Sequence, residues 1–195
     1  MAMKIEARPF EDLVVLAGQP FRDDRGYFLE AFRADQFREL GLPWEFVQDN
    51  HSYSRKGVLR GLHFQWEPPM GKLMRVTRGT AFLAAVDIRK GSPTLGRNFC
   101  LEVSAESCLQ VWASAGFARG FCALTDDVEV QYKCTGIYNS KYESGIRWND
   151  PDLAIPWPLK DPIVSVKDGQ AQSFRDWLES ADAEKLSIAR AAARS

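Results

Sequence analysis

The stretch Val128-Glu129-Val130-Gln131-Tyr132-Lys133-Cys134 alternates at every step. Val128, Val130, Tyr132 and Cys134 fall on one face, and Glu129, Gln131 and Lys133 on the other. Such a period of two specifies a half-buried strand, which the reading extends over 129–138. Working outward, similar short segments recur at 12–16, 27–32, 58–65, 73–78, 80–89 and 97–103. Asp23-Asp24-Arg25-Gly26, Gly18-Gln19-Pro20 and glycines at 57, 71, 79, 91, 96, 116 and 136 punctuate them. This density of short strands predicts an all-β chain, a sandwich or a barrel. Two helices are expected beside it. One covers 34–40, where Phe37 and Leu40 share a face and Gly41 stops the turn. The other covers 173–194, with Phe174, Trp177, Leu178, Ala181 and Lys185 near one stripe and Ser173 and Asp176 spaced as a capping box. The simplest organisation is one domain, with 1–170 as the β body and 171–195 as its helical tail.

The bulk composition excludes several classes. The 195 residues suffice for a full core, and the 45% hydrophobic and 26% charged residues are an ordinary globular balance. A formal net charge of -1 gives no general attraction to nucleic acid or anionic membrane, so any anion site must be local. No apolar run approaches the roughly 18 residues of a spanning helix. Arg8, Glu11 and Asp12 interrupt any signal-peptide layout at the start, so a cytoplasmic location is expected. Cys100, Cys108, Cys122 and Cys134 form no CxxC pair and read as small buried hydrophobes without disulfides.

The chain has only two histidines, His51 and His63. Metal-dependent β-barrels bring several imidazoles and a carboxylate to one ion, so no metal is expected. No phosphate loop, Rossmann glycine motif or nucleophile elbow is present. His63 lies in Val58-Leu59-Arg60-Gly61-Leu62-His63-Phe64-Gln65, where alternation puts Leu59, Gly61 and Gln65 on its face and Arg60 on the other. Arg60 and His63 can share a site only if the strand bulges, which Gly61 permits. Tyr132 points inward, where a phenol needs a partner; a core tyrosine bonded to backbone would look the same. Lys72 opens a strand with Met74 and Val76 on its side, suited to an oxyanion or a phosphate, or to guarding a sheet edge. Asp168, in Ser165-Val166-Lys167-Asp168-Gly169, reads as a turn residue or as a carboxylate that fixes a histidine tautomer.

Gln48-Asp49-Asn50-His51-Ser52 followed by Gly57-Val58-Leu59-Arg60-Gly61-Leu62-His63-Phe64-Gln65 closely resembles the dTDP-4-dehydrorhamnose 3,5-epimerase family. Asp24-Arg25-Gly26-Tyr27-Phe28-Leu29-Glu30, Val86-Asp87-Ile88-Arg89, Ser92-Pro93-Thr94-Leu95-Gly96, Tyr132-Lys133-Cys134-Thr135 and Trp148-Asn149-Asp150-Pro151 are similar to further family motifs. The resemblance covers roughly residues 10–170, in collinear order. It implies a cupin-like jelly roll or β-sandwich, an isomerase that works without metal or organic cofactor, and a homodimer with shared active sites. It implies His63 as general base, Asp168 as its dyad partner, Tyr132 as general acid and Lys72 beside the substrate ketone. It places Arg60 around sugar and diphosphate, Tyr138 against the nucleotide base, and Arg25, Glu30, Gln48, Asn50, Glu143 and Lys167 at substrate positions, some supplied by a neighbouring subunit.

One position departs from the family pattern. Gly116-Phe117-Ala118-Arg119-Gly120-Phe121 carries arginine where the family has a substrate-contacting histidine. Arginine still donates to phosphate or hydroxyl but does not titrate as imidazole does. The expected substrate is a nucleotide-linked 4-keto-6-deoxyhexose, epimerised beside its ketone. The alternatives are inversion at C3 or C5 alone, another nucleotide sugar, and a non-catalytic sugar-nucleotide-binding barrel.

Overall fold

The computed structural model describes residues 3–188. Its body is a sandwich of two antiparallel sheets. In chain order the strands are β1 (Lys4–Phe10), β2 (Leu13–Ala17), β3 (Phe21–Asp23), β4 (Gly26–Phe28), β5 (Gln48–Ser54), β6 (Leu59–Gln65) and β7 (Lys72–Arg78). They continue with β8 (Thr80–Asp87), β9 (Asn98–Ser104), β10 (Leu109–Ala113), β11 (Phe117–Ala123), β12 (Val128–Cys134) and β13 (Glu143–Gly145). One sheet runs β1-β2-β10-β7-β12-β5, the other β13-β6-β11-β8-β9, and β3-β4 is a separate hairpin.

The alternation read in Val128–Cys134 is what joins the sheets. Val128 and Val130 enter a core with Met74, Val76, Leu83, Phe117 and Phe121, drawn from both layers. The outer faces are covered as well. Phe37 of helix α1 (Ala34–Glu39) packs with Leu16, Leu73 and Trp112 on one side. Phe174 and Trp177 of the C-terminal segment pack with Phe64, Val86 and Ala118 on the other. A short helix, α2 (Val166–Gly169), precedes them.

The expected long helix over 173–194 is two short pieces in the described residues. Helix α3 (Phe174–Glu179) starts at the capping box of Ser173 and Asp176 and stops at Ser180, whose backbone is extended at φ -69 and ψ 148. The Ser180 side chain accepts the Ala183 N–H and opens a 3-10 turn over Ala181–Leu186. Serine competes with the helix through this local bond. The break shifts the phase, so Ala183 and Leu186 are buried while Ala181 and Lys185 are exposed. Positions 189–194 of that expectation lie outside the described residues. The strand expected over 27–32 ends at Phe28, and the one expected over 129–138 ends at Cys134.

Candidate active site

A cavity of about 480 Å³ opens among β5, β6, β7, β12, β13 and α2. Its chemistry begins with a bulge. β6 pairs with β11 so that His63 faces Arg119 and Arg60 faces Phe121, and β6 therefore carries one extra residue between those pairs. Gly61 lies in the bulge at φ 133, and a Cβ there would meet the Gly120 Cα at 2.5 Å. The extra residue turns Arg60 to the side of His63, and both line the cavity.

His63 Nε2 lies 2.6 Å from Asp168 Oδ1, across 105 residues of chain. A carboxylate there selects the tautomer with the proton on Nε2, leaving the Nδ1 lone pair as the basic site. Asp168 is set by α2: Ser165 Oγ accepts its backbone N–H at 3.0 Å, and the Gly61 N–H reaches its Oδ2 at 3.4 Å. Burial pushes the Asp168 carboxyl up, but the bonds from His63, Gly61 and Ser165 outweigh it and hold it below the ordinary carboxylate value. The carboxylate therefore stays ionised behind the imidazole, whose side chain is 35% exposed toward the cavity.

Tyr132 and Lys72 come from adjacent strands of the other sheet, where Tyr132 faces Met74 and Lys72 faces Cys134 in register. Lys72 Nζ sits 4.8 Å from the centroid of the Tyr132 ring. Burial raises the phenol, so Tyr132 keeps its proton across the neutral range. Burial, with the Arg119 charge second, brings the Lys72 ammonium down to about 8.

The rim is polar. Gln48 Oε1 accepts the Tyr138 N–H at 2.8 Å, and the Tyr138 hydroxyl donates to Glu143 at 3.3 Å. Lys167 pairs with Glu143, and Asn50 lines the wall beside them. Tyr138 is 53% exposed, an open aromatic face at the cavity mouth. Gln65 was not singled out from the sequence, yet its amide donates to Pro68 O and Ile137 O and accepts from the Asn139 N–H. It ties down the loop that carries Tyr138. Its place on the face of His63 was the available signal.

Three expected site residues lie elsewhere. Arg119 is buried and lines a smaller cavity of about 150 Å³ that also touches His63, Lys72 and Tyr132. Arg25 pairs with Asp23 in the β3-β4 hairpin, and Glu30 meets Gln36 and Arg33; neither lines the cavity of its own chain. A β-hairpin tip exposes its turn residues, which is why the local motif there could not show where they act. Among the described residues, no group of three or more His, Cys, Asp or Glu converges as a metal site requires.

Comparison with known proteins gives this geometry a context. The family model for dTDP-4-dehydrorhamnose 3,5-epimerase matches residues 7–176. A Shigella flexneri protein of that name is 46% identical over 176 residues, covering 89% of this chain and 97% of its own. One from Methanothermobacter thermautotrophicus is 48% identical over 166 residues, covering 84% of this chain and 90% of its own. A crystal structure of dTDP-6-deoxy-D-glucose-3,5-epimerase from Legionella pneumophila in complex with dTDP-4-keto-L-rhamnose superposes with a TM-score of 0.89 at 41% identity, covering 97% of this chain and 100% of that one. With that family model matching most of its length, and with relatives of that name at 46% and 48% identity, the chain belongs to the dTDP-4-dehydrorhamnose 3,5-epimerase family of sugar-nucleotide isomerases.

Proposed function

We propose that this chain inverts the carbons beside the ketone of dTDP-4-keto-6-deoxyglucose, giving the L-rhamno sugar, with its own side chains as the only catalysts. The observation that carries the reading is one cavity lined by both His63 and Tyr132, with Asp168 fixed 2.6 Å behind the imidazole. Hydrogens at C3 and C5 are acidic because the C4 carbonyl takes up the charge. His63 removes one, the Lys72 cation faces the oxyanion, and Tyr132 returns a proton from the other face. Inversion requires a base on one face and an acid on the other; a single base would only exchange the proton. Gln48, Asn50, Arg60, Glu143 and Lys167 hold the sugar and diphosphate, and the exposed Tyr138 ring stacks on the base.

The same reading makes the protein a cytoplasmic homodimer. The free cysteines fit a reducing compartment. Arg25 and Glu30, absent from their own cavity, then serve the site of a second copy. The exposed rings of Phe21, Tyr27 and Phe28 beside them fit such a contact.

Incubation with dTDP-4-keto-6-deoxyglucose in deuterated water, followed by NMR, tests the activity. Deuterium is expected at both C3 and C5. Arg119 in place of the family histidine favours one second reading, inversion at a single carbon, and label at one position would establish it. Absence of label from both carbons would refute both readings. Tyr132→Phe is expected to slow inversion at least tenfold while wash-in of deuterium persists, because deprotonation by His63 remains. Loss of wash-in with intact substrate binding would show that the two roles are not divided this way.

A further inference from the structure

The smaller cavity is cationic. Arg60, Lys72 and Arg119 share its wall with His63 and Tyr132, and no carboxylate lines it. Arg60 is held from the outside, through Ser54 Oγ at 3.0 Å and Tyr53 O at 3.0 Å. Arg119 is 3% exposed. Its terminal nitrogens donate to Met70 O at 2.7 Å and Ala113 O at 3.5 Å, while its Nε has no partner. Met70 stands two residues before Lys72, so the guanidinium is tied to the chain that leads into β7. Arg119 is buried and Lys72 half-buried, and two like charges facing one small cavity disfavour one another's charged form. A guanidinium gives up its proton reluctantly, so the strain falls on the amine.

We propose that Arg119 is a positioning residue whose fixed charge makes Lys72 a proton donor to the C4 oxygen rather than a spectator cation. The inference rests on the epimerase reading above. As His63 takes the proton from carbon, the C–H electron pair becomes the C=C bond of an enol. The carbonyl pair moves to O4, and O4 takes a proton from Lys72 Nζ. An imidazolium, a neutral enol and a neutral amine result. In the second half Tyr132 protonates the carbon from the opposite face, O4 returns its proton to Lys72 and the ketone re-forms, leaving an imidazolium and a tyrosinate that water resets by taking one proton and supplying the other. Loss of the Lys72 proton relieves its repulsion with Arg119 as charge builds on oxygen. A neutral histidine at 119 would leave the ammonium with less reason to part with that proton.

The groups facing Lys72 agree with this. β11 offers Arg119; β6 offers Arg60 and His63; β12 offers Tyr132 and Cys134; across the larger cavity, β13 offers Glu143, which is paired with Lys167, and α2 offers Asp168, which is paired with His63. Burial raises both the Cys134 thiol and the Tyr132 phenol, so neither supplies a negative charge at neutral pH. Burial brings Arg119 itself to about 10 and Lys72 to about 8, so Lys72 is the first of the two to release a proton.

Two measurements on the whole protein test the proposal. The first follows the side-chain carbons of isotopically labelled lysine by NMR against pH, with Lys72 assigned by its loss in Lys72→Arg. Arg119→Gln is expected to raise the Lys72 titration by about one pH unit, and Arg119→Lys to leave it in place. The second follows kcat against pH. The protonated amine is the active form, so kcat falls as pH rises through the Lys72 titration, and that fall must move upward in Arg119→Gln by the same interval, with KM changing less than kcat. Should Arg119→Gln not fold, Arg119→His, neutral above pH 7, is expected to give the same upward shift. A Lys72 titration unmoved by loss of Arg119 overturns the proposal, as does a shifted titration with an unshifted alkaline limb. A wild-type protein that leaves the sugar unchanged refutes the epimerase reading instead.

Discussion

His63→Asn lowers kcat by about 10² to 10⁴-fold, the usual worth of a general base, and leaves the fold intact. The imidazole contributes little packing, since its side chain is 35% exposed and sits at the cavity wall. Asparagine can still donate a hydrogen bond to Asp168, so the buried carboxylate is not stranded. What is lost is the lone pair that accepts the carbon-bound proton. Deuterium wash-in at C3 and C5 must fall with turnover, which separates this variant from Tyr132→Phe. The melting temperature should stay within a few degrees of wild type, because no core group is removed. Near-normal product formation by a clean preparation would remove His63 from the mechanism.

Gly61→Ala destabilises the protein by about 3 kcal/mol or more, combining strained backbone with overpacking. Gly61 has φ 133, a conformation that an L side chain rarely adopts. Its Cβ would stand 2.5 Å from Gly120 Cα and 3.0 Å from Arg119 O, and both obstacles are backbone. Gly120 is confined from the other side, since its own Cβ would meet Arg60 O at 2.7 Å. The strands β6 and β11 would have to part at the point that aims His63 and Arg60 into the cavity. Activity at a permissive temperature should therefore drop more steeply than stability alone explains. Calorimetry and kinetics on one preparation check both halves. An unchanged melting temperature would show that the crossing tolerates a methyl group.

The sequence made legible those features that depend on neighbours in the chain. The alternation of Val128–Cys134 placed Tyr132 inward beside Cys134, and the strand is found there. Gly61 marked where β6 had to bulge for Arg60 to join His63. Strands without alternation were harder. Gln48–Ser54 is a polar edge strand paired on one side only, so it shows no apolar period. Phe117–Ala123 is buried along its whole length, with Phe117, Arg119 and Phe121 on one face and the small Ala118, Gly120 and Cys122 on the other, so neither face is polar and no amphipathic alternation shows. Local reading could suggest that Asp168 serves a histidine. Which histidine it serves depends on a pairing across 105 residues, and no local pattern encodes that. The confinement of Arg119 behind Lys72 is likewise a product of tertiary packing, since its own strand says only that it is flanked by Ala118 and Gly120.

The dyad carboxylate arrives late. Ile163 bridges to Val58 and its N–H bonds to Gly57 O, and this tether seats the turn that carries Asp168. A nascent chain emerged only as far as Ile155 carries His63, Tyr132 and Lys72 but lacks Asp168, the carboxylate bonded to the imidazole. Deleting the chain from 164 onward would take Asp168 from His63 and, with it, strip Phe174 and Trp177 from Phe64 and Val86 on the outer sheet face, so orientation of the imidazole and burial of that face are held by one terminal segment.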